Sequence, residues 1–361
     1  MIAPIHGGQL PHIATRFNIP IERLVDFSAN INPEGPPPGV VEAIRHALTN
    51  PTTLTAYPDL ESTALRTSIA TYANTPANAI AVANGFVPLL EAAIRTLNVK
   101  RCLLPVPAFN EYRHTLERNH IHIEPYALSP EVNFAYDSTD PPTLIARAIA
   151  GHHDTILLAN PQNPTGVLTP GSTMLDLLHE ATANNIRLLI DEAFMDYTPT
   201  KSLIPETHTH PNLVVFRSVT KFHGIPGLRA AYCVSHPDTS KALTRNVPPW
   251  PVTTLATEGV IAALADQAYA QATITLNRTR RTQLESALKT LNIPTTRSSA
   301  NYLLLKLSTQ SPEQLWEHLI QQHGIVLRLC TNYESLPPTY FRAAVRNEQD
   351  NARLIAALAL V

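Results

Sequence analysis

Residues 186–235, IRLLIDEAFMDYTPTKSLIPETHTHPNLVVFRSVTKFHGIPGLRAAYCVS, decide the fold of this chain. Three short apolar runs start near residues 186, 213 and 230, with polar or turn-forming residues between them. Upstream, strand-like runs at 79–84, 100–109, 121–128 and 154–161 alternate with helical patterns such as those at 89–98 and 173–185. This alternation is typical of an α/β fold with a mostly parallel sheet whose two faces are covered by helices.

The composition excludes several classes of protein. The 361 residues are 44% hydrophobic and only 16% charged, and 27 Lys+Arg against 29 Asp+Glu leave a net charge of -2. These values exclude a disordered chain and a basic nucleic-acid binder. No apolar run is long enough for a membrane helix, so we expect a soluble, cytoplasmic protein without membrane or nucleic-acid partners. Three widely separated cysteines and scattered histidines predict neither disulfides nor a metal site.

The pattern divides the chain into three parts. Residues 1–45 predict an N-terminal arm with one strand that joins a small domain, and residues 46–247 predict the large α/β domain. After the prolines at 248 and 249, residues 248–361 predict a long helical region followed by a small C-terminal α+β domain.

Polar residues after the predicted strands are the candidates for chemistry, because ligands bind at the carboxyl ends of strands in open α/β sheets. Lys221 follows one strand and stands close to Ser218, Thr220 and Arg229. Two hydroxyls and a guanidinium suit a phosphate group, and a lysine beside a phosphate is a candidate for a Schiff base. A solvated loop lysine is the alternative.

Three other segments carry similar residues. Asp191 ends an apolar strand, where a carboxylate needs a cationic partner such as a protonated pyridine nitrogen, or else serves as a turn cap. Asn163 lies in a proline-bounded turn and could donate a hydrogen bond to a phenolate oxygen. Asn84, Gly85 and Phe86 join a strand to a helix, whose N-terminus attracts anions, although a turn without a ligand is equally consistent.

The order and spacing of NPTG at 163–166, Asp191, SVTK at 218–221 and Arg229 resemble the pyridoxal-phosphate enzymes of fold type I, the aspartate-aminotransferase-like group. The resemblance implies that Lys221 and Asp191 are catalytic, with Lys221 joined to the cofactor. It also implies a homodimer in which Tyr57 reaches the cofactor phosphate of the other subunit. The cofactor-binding residues that it implies are Asn84, Gly85, Phe86, Phe109, Asn163, Asp191, Ser218, Thr220, Lys221, Arg229 and Tyr57.

A narrower resemblance covers nearly the whole chain. HGGQ at 6–9, DFSANINPEGPP at 26–37, NVPPWPV at 246–252 and the segment 324–354 are similar to the threonine-phosphate decarboxylases of cobalamin biosynthesis, close relatives of the histidinol-phosphate aminotransferases. This resemblance implies a small phosphorylated amino-acid substrate and decarboxylation of L-threonine O-3-phosphate. The substrate-binding residues that it implies are His6, Gly7, Asn30, Asn163, Arg328 and Arg342.

Two positions differ from the pattern of these enzymes, and three alternative functions stay open. Phe86 stands where the phosphate loop usually carries a polar residue, and Phe194 stands where aminotransferases of the group generally have Tyr. The second departure favours the decarboxylases. The alternatives are a histidinol-phosphate aminotransferase, a decarboxylase of L-serine O-phosphate, which lacks only one methyl group, and a non-enzymatic cofactor-binding module.

Overall fold

The structure of the chain is a computed structural model that describes residues 6–136 and 143–360. Its helices are α1 (Leu10–Phe17), α2 (Pro38–Leu48), α3 (Thr52–Thr55), α4 (Thr63–Ala73), α5 (Phe86–Thr96), α6 (Asn110–Arg118), α7 (Leu144–Ala150), α8 (Gly171–Ala183), α9 (Pro237–Asn246), α10 (Thr254–Ala265), α11 (Gln267–Thr290), α12 (Pro312–His323) and α13 (Glu348–Leu358). Its strands are β1 (Val25–Asp26), β2 (Ile80–Ala83), β3 (Arg101–Val106), β4 (His122–Ala127), β5 (Thr155–Ala159), β6 (Arg187–Asp191), β7 (Leu213–Ser218), β8 (Ala231–Ser235), β9 (Tyr302–Lys306), β10 (Ile325–Val326), β11 (Arg328–Leu329) and β12 (Tyr340–Ala344).

A seven-stranded sheet organises the large domain, with the strand order β2-β8-β7-β6-β5-β3-β4. Strands β3 to β7 are parallel, and β8 runs antiparallel to both β7 and β2. Leu188 and Ile190 belong to one hydrophobic cluster and Leu189 belongs to the other. Since successive side chains of a strand point to opposite faces, both faces of the sheet are buried. The predicted α/β class with a mostly parallel sheet is confirmed.

The second lobe contains the antiparallel sheet β11-β12-β9 and the parallel pair β1-β10. Ile13 and Phe27 of the N-terminal arm pack in the same hydrophobic cluster as Leu303 and Trp316. Residues of the arm therefore pack with the C-terminal part of the chain.

Helix α10 bears on the predicted domain boundary. Val260 and Ala263 of this helix pack in the hydrophobic cluster of the large sheet, together with Val40 of α2 and Leu65 of α4. The boundaries 1–45, 46–247 and 248–361 stay predictions, and from this packing we propose that the junction to the small lobe lies near Asp266.

Two helical features differ from the sequence-based expectation. Helix α1 lies in a region where the pattern predicts only an arm and a strand; Pro11 occupies its first turn, where proline is tolerated, and Asn18 closes its end in the left-handed conformation. The long helical region at 257–292 is divided between α10 and α11. At this break the side chain of Asp266 accepts a hydrogen bond from the backbone N–H of Tyr269.

Three global features concern partners and redox state. Within residues 6–136 and 143–360, no helix is long and apolar enough to cross a membrane, and no group of three or more His, Cys, Asp or Glu side chains is arranged to hold a metal. Cys102, Cys233 and Cys330 are buried and unpaired, so their interpretation as small core residues is confirmed.

Candidate active site

The carboxyl ends of β5, β6 and β7 open into a cavity of about 330 Å³ between the large sheet, the N-terminal arm and the small lobe. A larger cavity of about 720 Å³ lies beside α4 and α9, but none of the predicted site residues is among the described residues that line it. The smaller cavity brings together most of the predicted set: His6, Gly7, Asn30, Phe86, Phe109, Asn163, Asp191, Ser218, Lys221, Arg229, Arg328 and Arg342.

Lys221 lies in the turn that follows β7. Its Nζ donates to Ser218 Oγ at 3.1 Å, and the side chain is half-buried. Burial lowers the pKa of the Lys221 amine, Asp191 partly opposes this shift, and Arg229 adds to it. A lowered pKa makes the neutral, nucleophilic amine more accessible at moderate pH.

Asp191 is the last residue of β6 and is only 8% exposed. Its Oδ1 accepts the backbone N–H of Ala193 at 2.9 Å, and its Oδ2 accepts the hydroxyl of Tyr112 at 2.5 Å. Burial raises the pKa of the Asp191 carboxyl, and Tyr112, Lys221 and Ala193 each act in the opposite direction. A buried carboxylate facing a cavity fits a ligand that presents a protonated nitrogen.

Groups suited to a phosphate lie at one end of the cavity. Ser218 Oγ and Thr220 Oγ1 are 2.8 Å apart, and α5 begins with Phe86 directly after Gly85. Gly85 has a φ of 95°, and a Cβ on it would lie 2.9 Å from Nη2 of Arg229. Because glycine has no Cβ, the Arg229 guanidinium can lie close to the backbone at Gly85. Backbone N–H groups and this guanidinium can then bind the same anion.

Aromatic rings form one wall of the cavity. Phe109, which precedes α6, meets the ring of Tyr112 edge-on at 5.6 Å, and Phe86 packs on Phe216 at 5.2 Å. Phe194 also lines the cavity and packs edge-on against Tyr302 at 4.9 Å. Phe109 is therefore in a position to contact a flat ligand ring, and Phe194 offers such a ring no hydroxyl.

Arg328 and Arg342 face each other directly across the antiparallel pair β11 and β12. They are 5% and 6% exposed. Arg342 donates to Asn163 Oδ1 at 2.6 Å and to the carbonyl of Ser28 at 2.9 Å, and no carboxylate of the described chain lies within ion-pair distance of it. Burial lowers the pKa of Arg328, Tyr333 opposes this shift, and Arg342 adds to it. Like charges opposite each other in a sheet are destabilising, so the pair fits anionic ligand groups.

The N-terminal arm closes the cavity on the side of the small lobe. A Cβ on Gly7 would lie 2.1 Å from the carbonyl oxygen of Ser28, so only glycine fits there. His6 is exposed, and its Nε2 lies 3.3 Å from Glu111 Oε1. Asn30 is buried, and its Oδ1 has no hydrogen-bond partner among the described residues, which leaves it available to a ligand donor.

Four predicted residues lie outside the cavity lining. Gly85 and Thr220 are adjacent to residues that line it, whereas the side chain of Asn84 is exposed. Tyr57 is 79% exposed and stacks on Trp250 at 4.5 Å, away from the cavity of its own chain. The cavity brings residues together but tests no role, so the roles of Asn84, Tyr57 and all the other predicted site residues stay predictions.

Two tyrosines at the site, Tyr112 and Tyr333, were not predicted from the sequence. Tyr333 lines the cavity; its ring lies 5.4 Å from the guanidinium carbon of Arg328, and its hydroxyl is 3.4 Å from Nη1 of Arg342. Tyr112 lies in the first turn of α6, three residues after Phe109, and this spacing was the available signal. Tyr333 carried no comparable signal, because it lies in an irregular loop.

This arrangement of sheet, lysine and carboxylate is that of the pyridoxal-phosphate enzymes of fold type I, and the chain is an enzyme of this class. It belongs to the aminotransferase class I and II family, whose sequence profile matches residues 22–358. The predicted fold type and the predicted cofactor, pyridoxal 5'-phosphate, are confirmed.

Individual relatives are similar over nearly their whole length. The chain is 34% identical to the threonine-phosphate decarboxylase of Salmonella typhimurium over 356 residues, which cover 98% of this chain and 95% of that protein. The histidinol-phosphate aminotransferase of Clostridium acetobutylicum superimposes with a TM-score of 0.84 at 26% identity, covering 93% of this chain and 98% of that one. The Sinorhizobium meliloti histidinol-phosphate aminotransferase in complex with pyridoxal-5'-phosphate gives 0.83 at 21% identity, covering 100% and 94%.

Proposed function

We propose that this enzyme decarboxylates L-threonine O-3-phosphate to (R)-1-aminopropan-2-yl phosphate in cobalamin biosynthesis. The observation that carries the proposal is the facing pair of buried guanidiniums, Arg328 and Arg342, at one cavity. A small substrate with a phosphate and a carboxylate carries two anionic groups that such a pair can bind. The 34% identical relative named threonine-phosphate decarboxylase supports the same substrate.

Residues of the large domain would hold the cofactor, which when bound supplies an electron sink for the bond that breaks at Cα. Asp191 would face the protonated ring nitrogen, and the amide of Asn163 would donate to the ring oxygen. Ser218 and Arg229, with the backbone after Gly85, would hold its phosphate. The buried carboxylate and the positive φ of Gly85 beside a guanidinium fit these roles.

The substrate groups would be held by the small lobe and the arm. Arg342 would bind the α-carboxylate and Arg328 the substrate phosphate, with Asn30 and the arm at His6 and Gly7 closing over them. Such charge-assisted bonds in a buried site orient a small substrate strongly.

Lys221 would move the proton that the reaction needs. Its lowered pKa allows the amine to exchange with the substrate amine, and its protonated form would donate a proton to Cα after carbon dioxide leaves. Ser218, whose Oγ accepts from Nζ at 3.1 Å, would guide the side chain between these positions.

The partners follow from the same proposal. The ligand is a small phosphorylated amino acid, and the enzyme would work as a homodimer in which exposed Tyr57 reaches the cofactor phosphate of the second copy. We also propose that the enzyme is cytoplasmic, as expected from the sequence.

Histidinol-phosphate aminotransferase is the second candidate, supported by the Clostridium relative at 26% identity. Histidinol phosphate carries no carboxylate, so it would leave one of the two facing guanidiniums without an anion in that half-reaction. Phe194, which lines the cavity where aminotransferases of the group have Tyr, also favours the decarboxylase.

The test is incubation of the purified, cofactor-loaded enzyme with threonine phosphate, serine phosphate or histidinol phosphate, each in the presence of 2-oxoglutarate as amino acceptor. We expect carbon dioxide and aminopropanol phosphate from threonine phosphate, without glutamate. Serine phosphate should react more slowly, because one methyl group is worth about 1–3 kcal/mol in such a site. Glutamate formed without carbon dioxide would sink the decarboxylase proposal.

The variant Lys221→Ala tests the proposed role of this lysine. It should release no carbon dioxide and should lose the visible absorbance of covalently held cofactor. A band that survives this substitution would mean that another lysine holds the cofactor.

A further inference from the structure

Tyr112 makes a short contact with the candidate cofactor site from outside the cavity. It lies on α6, is 1% exposed, and its hydroxyl donates to Oδ2 of Asp191 at 2.5 Å. The other oxygen of the carboxylate accepts the backbone N–H of Ala193 at 2.9 Å. Each oxygen of Asp191 therefore has a protein donor, and the orientation of the carboxyl group is fixed.

The position of the Tyr112 hydroxyl is itself fixed by packing. Its ring meets Phe109 edge-on at 5.6 Å and Phe86 at 5.5 Å, and both of these rings line the cavity. Tyr112 is not among the described residues that line the cavity, so it can act on a cavity ligand only through Asp191 and these two rings.

The charge state of the pair follows from its surroundings. Burial and the neighbouring Asp191 raise the pKa of the Tyr112 phenol well above its ordinary value, so the hydroxyl stays a neutral donor. Burial also raises the pKa of Asp191, and the bond from Tyr112 is the first of the contributions that lower it, followed by Lys221 and Ala193. Besides Tyr112, the described residues whose pKa the charge of Asp191 raises include Lys221, Tyr136 and Tyr302.

We propose that Tyr112 is a positioning residue, whose buried hydroxyl holds Asp191 as an oriented carboxylate toward the ring nitrogen of the cofactor. The proposal rests on the proposed role of Asp191, but not on the identity of the substrate. Without the hydroxyl, a buried carboxyl group more readily takes up a proton and then no longer stabilises a positive charge opposite it.

The test compares Tyr112→Phe with a matched variant. Tyr136→Phe removes the same atom from another buried tyrosine of the large domain, whose hydroxyl donates at 2.8 Å to the carbonyl of Ala159. The readouts are the affinity of the cofactor-free protein for pyridoxal phosphate and the pH midpoint of the visible absorbance of the bound cofactor.

We expect Tyr112→Phe to weaken cofactor binding about 10- to 100-fold, the range for a hydrogen bond to a charged group. The pH midpoint of the visible absorbance should rise by about one unit. A ring nitrogen that has lost its proton carries no positive charge, so it no longer disfavours protonation of the Lys221 nitrogen. Tyr136→Phe should change neither quantity by more than a small factor.

A double variant separates positioning from a structural role. In an Asp191→Asn background, Tyr112→Phe should cause no further loss of cofactor affinity. An equal loss in both backgrounds, or equal behaviour of Tyr112→Phe and Tyr136→Phe, would overturn the proposal. If Tyr112→Phe does not fold, Tyr112→His keeps a ring and an N–H donor and should retain the absorbance midpoint; a shifted midpoint there also counts against the proposal.

These outcomes are distinct from failure of the proposed function. A wild-type enzyme that binds the cofactor with the expected variant differences, yet releases no carbon dioxide from threonine phosphate, would refute the substrate and leave Tyr112 in place.

Discussion

The facing pair Arg328 and Arg342 predicts a measurable repulsion in the cofactor-free protein. Opposed residues in antiparallel strands have Cβ atoms about 4.5–5.5 Å apart. With the two charges about 5–8 Å apart and an effective dielectric constant of about 20, the repulsion is about 2–3 kcal/mol. Either single Arg→Met substitution removes the whole repulsion, so the second substitution gives no further relief. Each substitution also removes hydrogen bonds, such as those from Arg342 to Asn163 and Ser28.

A double-mutant cycle isolates the repulsion from those losses. The measured quantity is the change in the free energy of unfolding, obtained by urea denaturation. We expect the change caused by Arg328→Met/Arg342→Met to lie about 2–3 kcal/mol below the sum of the changes caused by the two single substitutions. The control pairs Arg328→Met with Arg187→Met, at the far end of β6, and should be additive within about 0.5 kcal/mol.

Adding threonine phosphate extends the same experiment. At about 100 times its dissociation constant, the ligand should stabilise the wild-type protein by about 2.7 kcal/mol and each single variant by much less. A coupling within about 0.5 kcal/mol of zero in the cofactor-free protein would refute the reasoning, because the two guanidiniums would then not interact across the strands.

Two further predictions concern backbone and protons. Gly85→Ala places a methyl carbon 2.9 Å from the Arg229 guanidinium at a φ of 95°, so we expect at least about a tenfold loss of pyridoxal-phosphate affinity in a titration. Gly39→Ala, with open space around it, should bind normally. Equal affinities of the two variants would contradict a phosphate site formed by the backbone at Gly85 and by Arg229. Burial lowers the pKa of His223, so the folded chain takes up this proton at a lower pH than the unfolded chain, and the free energy of unfolding falls below about pH 6.5 by up to about 1.4 kcal/mol per unit. His223→Gln should flatten this slope in urea denaturation, and an unchanged slope would show that His223 does not cause it.

The strands of the large sheet were predictable because each is a short apolar run buried on both faces, a pattern local to the chain. The placement of Lys221, Asp191 and Asn163 at one cavity could be predicted because they follow such runs, and parallel strands end at one edge of a sheet. Helix α1 was missed because the turn-rich segment after it dominates the pattern of the first forty residues.

Contacts between distant segments could not be predicted from the sequence. Tyr112 and Asp191 are 79 residues apart, and the residues between them give no signal of their hydrogen bond. The register of Arg328 against Arg342 depends on how the loop between β11 and β12 aligns the strands. The resemblance to known enzymes named both arginines, but their direct opposition required the structure.

The walls of the cavity come from both ends of the chain as well as its middle: the arm at His6 and Gly7, the large domain at Lys221, and the small lobe at Arg328 and Arg342. A ligand that contacts all of these groups stabilises the association of segments that are remote from one another in the polypeptide. Amide hydrogens in the arm and in β11 should therefore exchange more slowly together when substrate binds, although more than three hundred positions separate them along the chain.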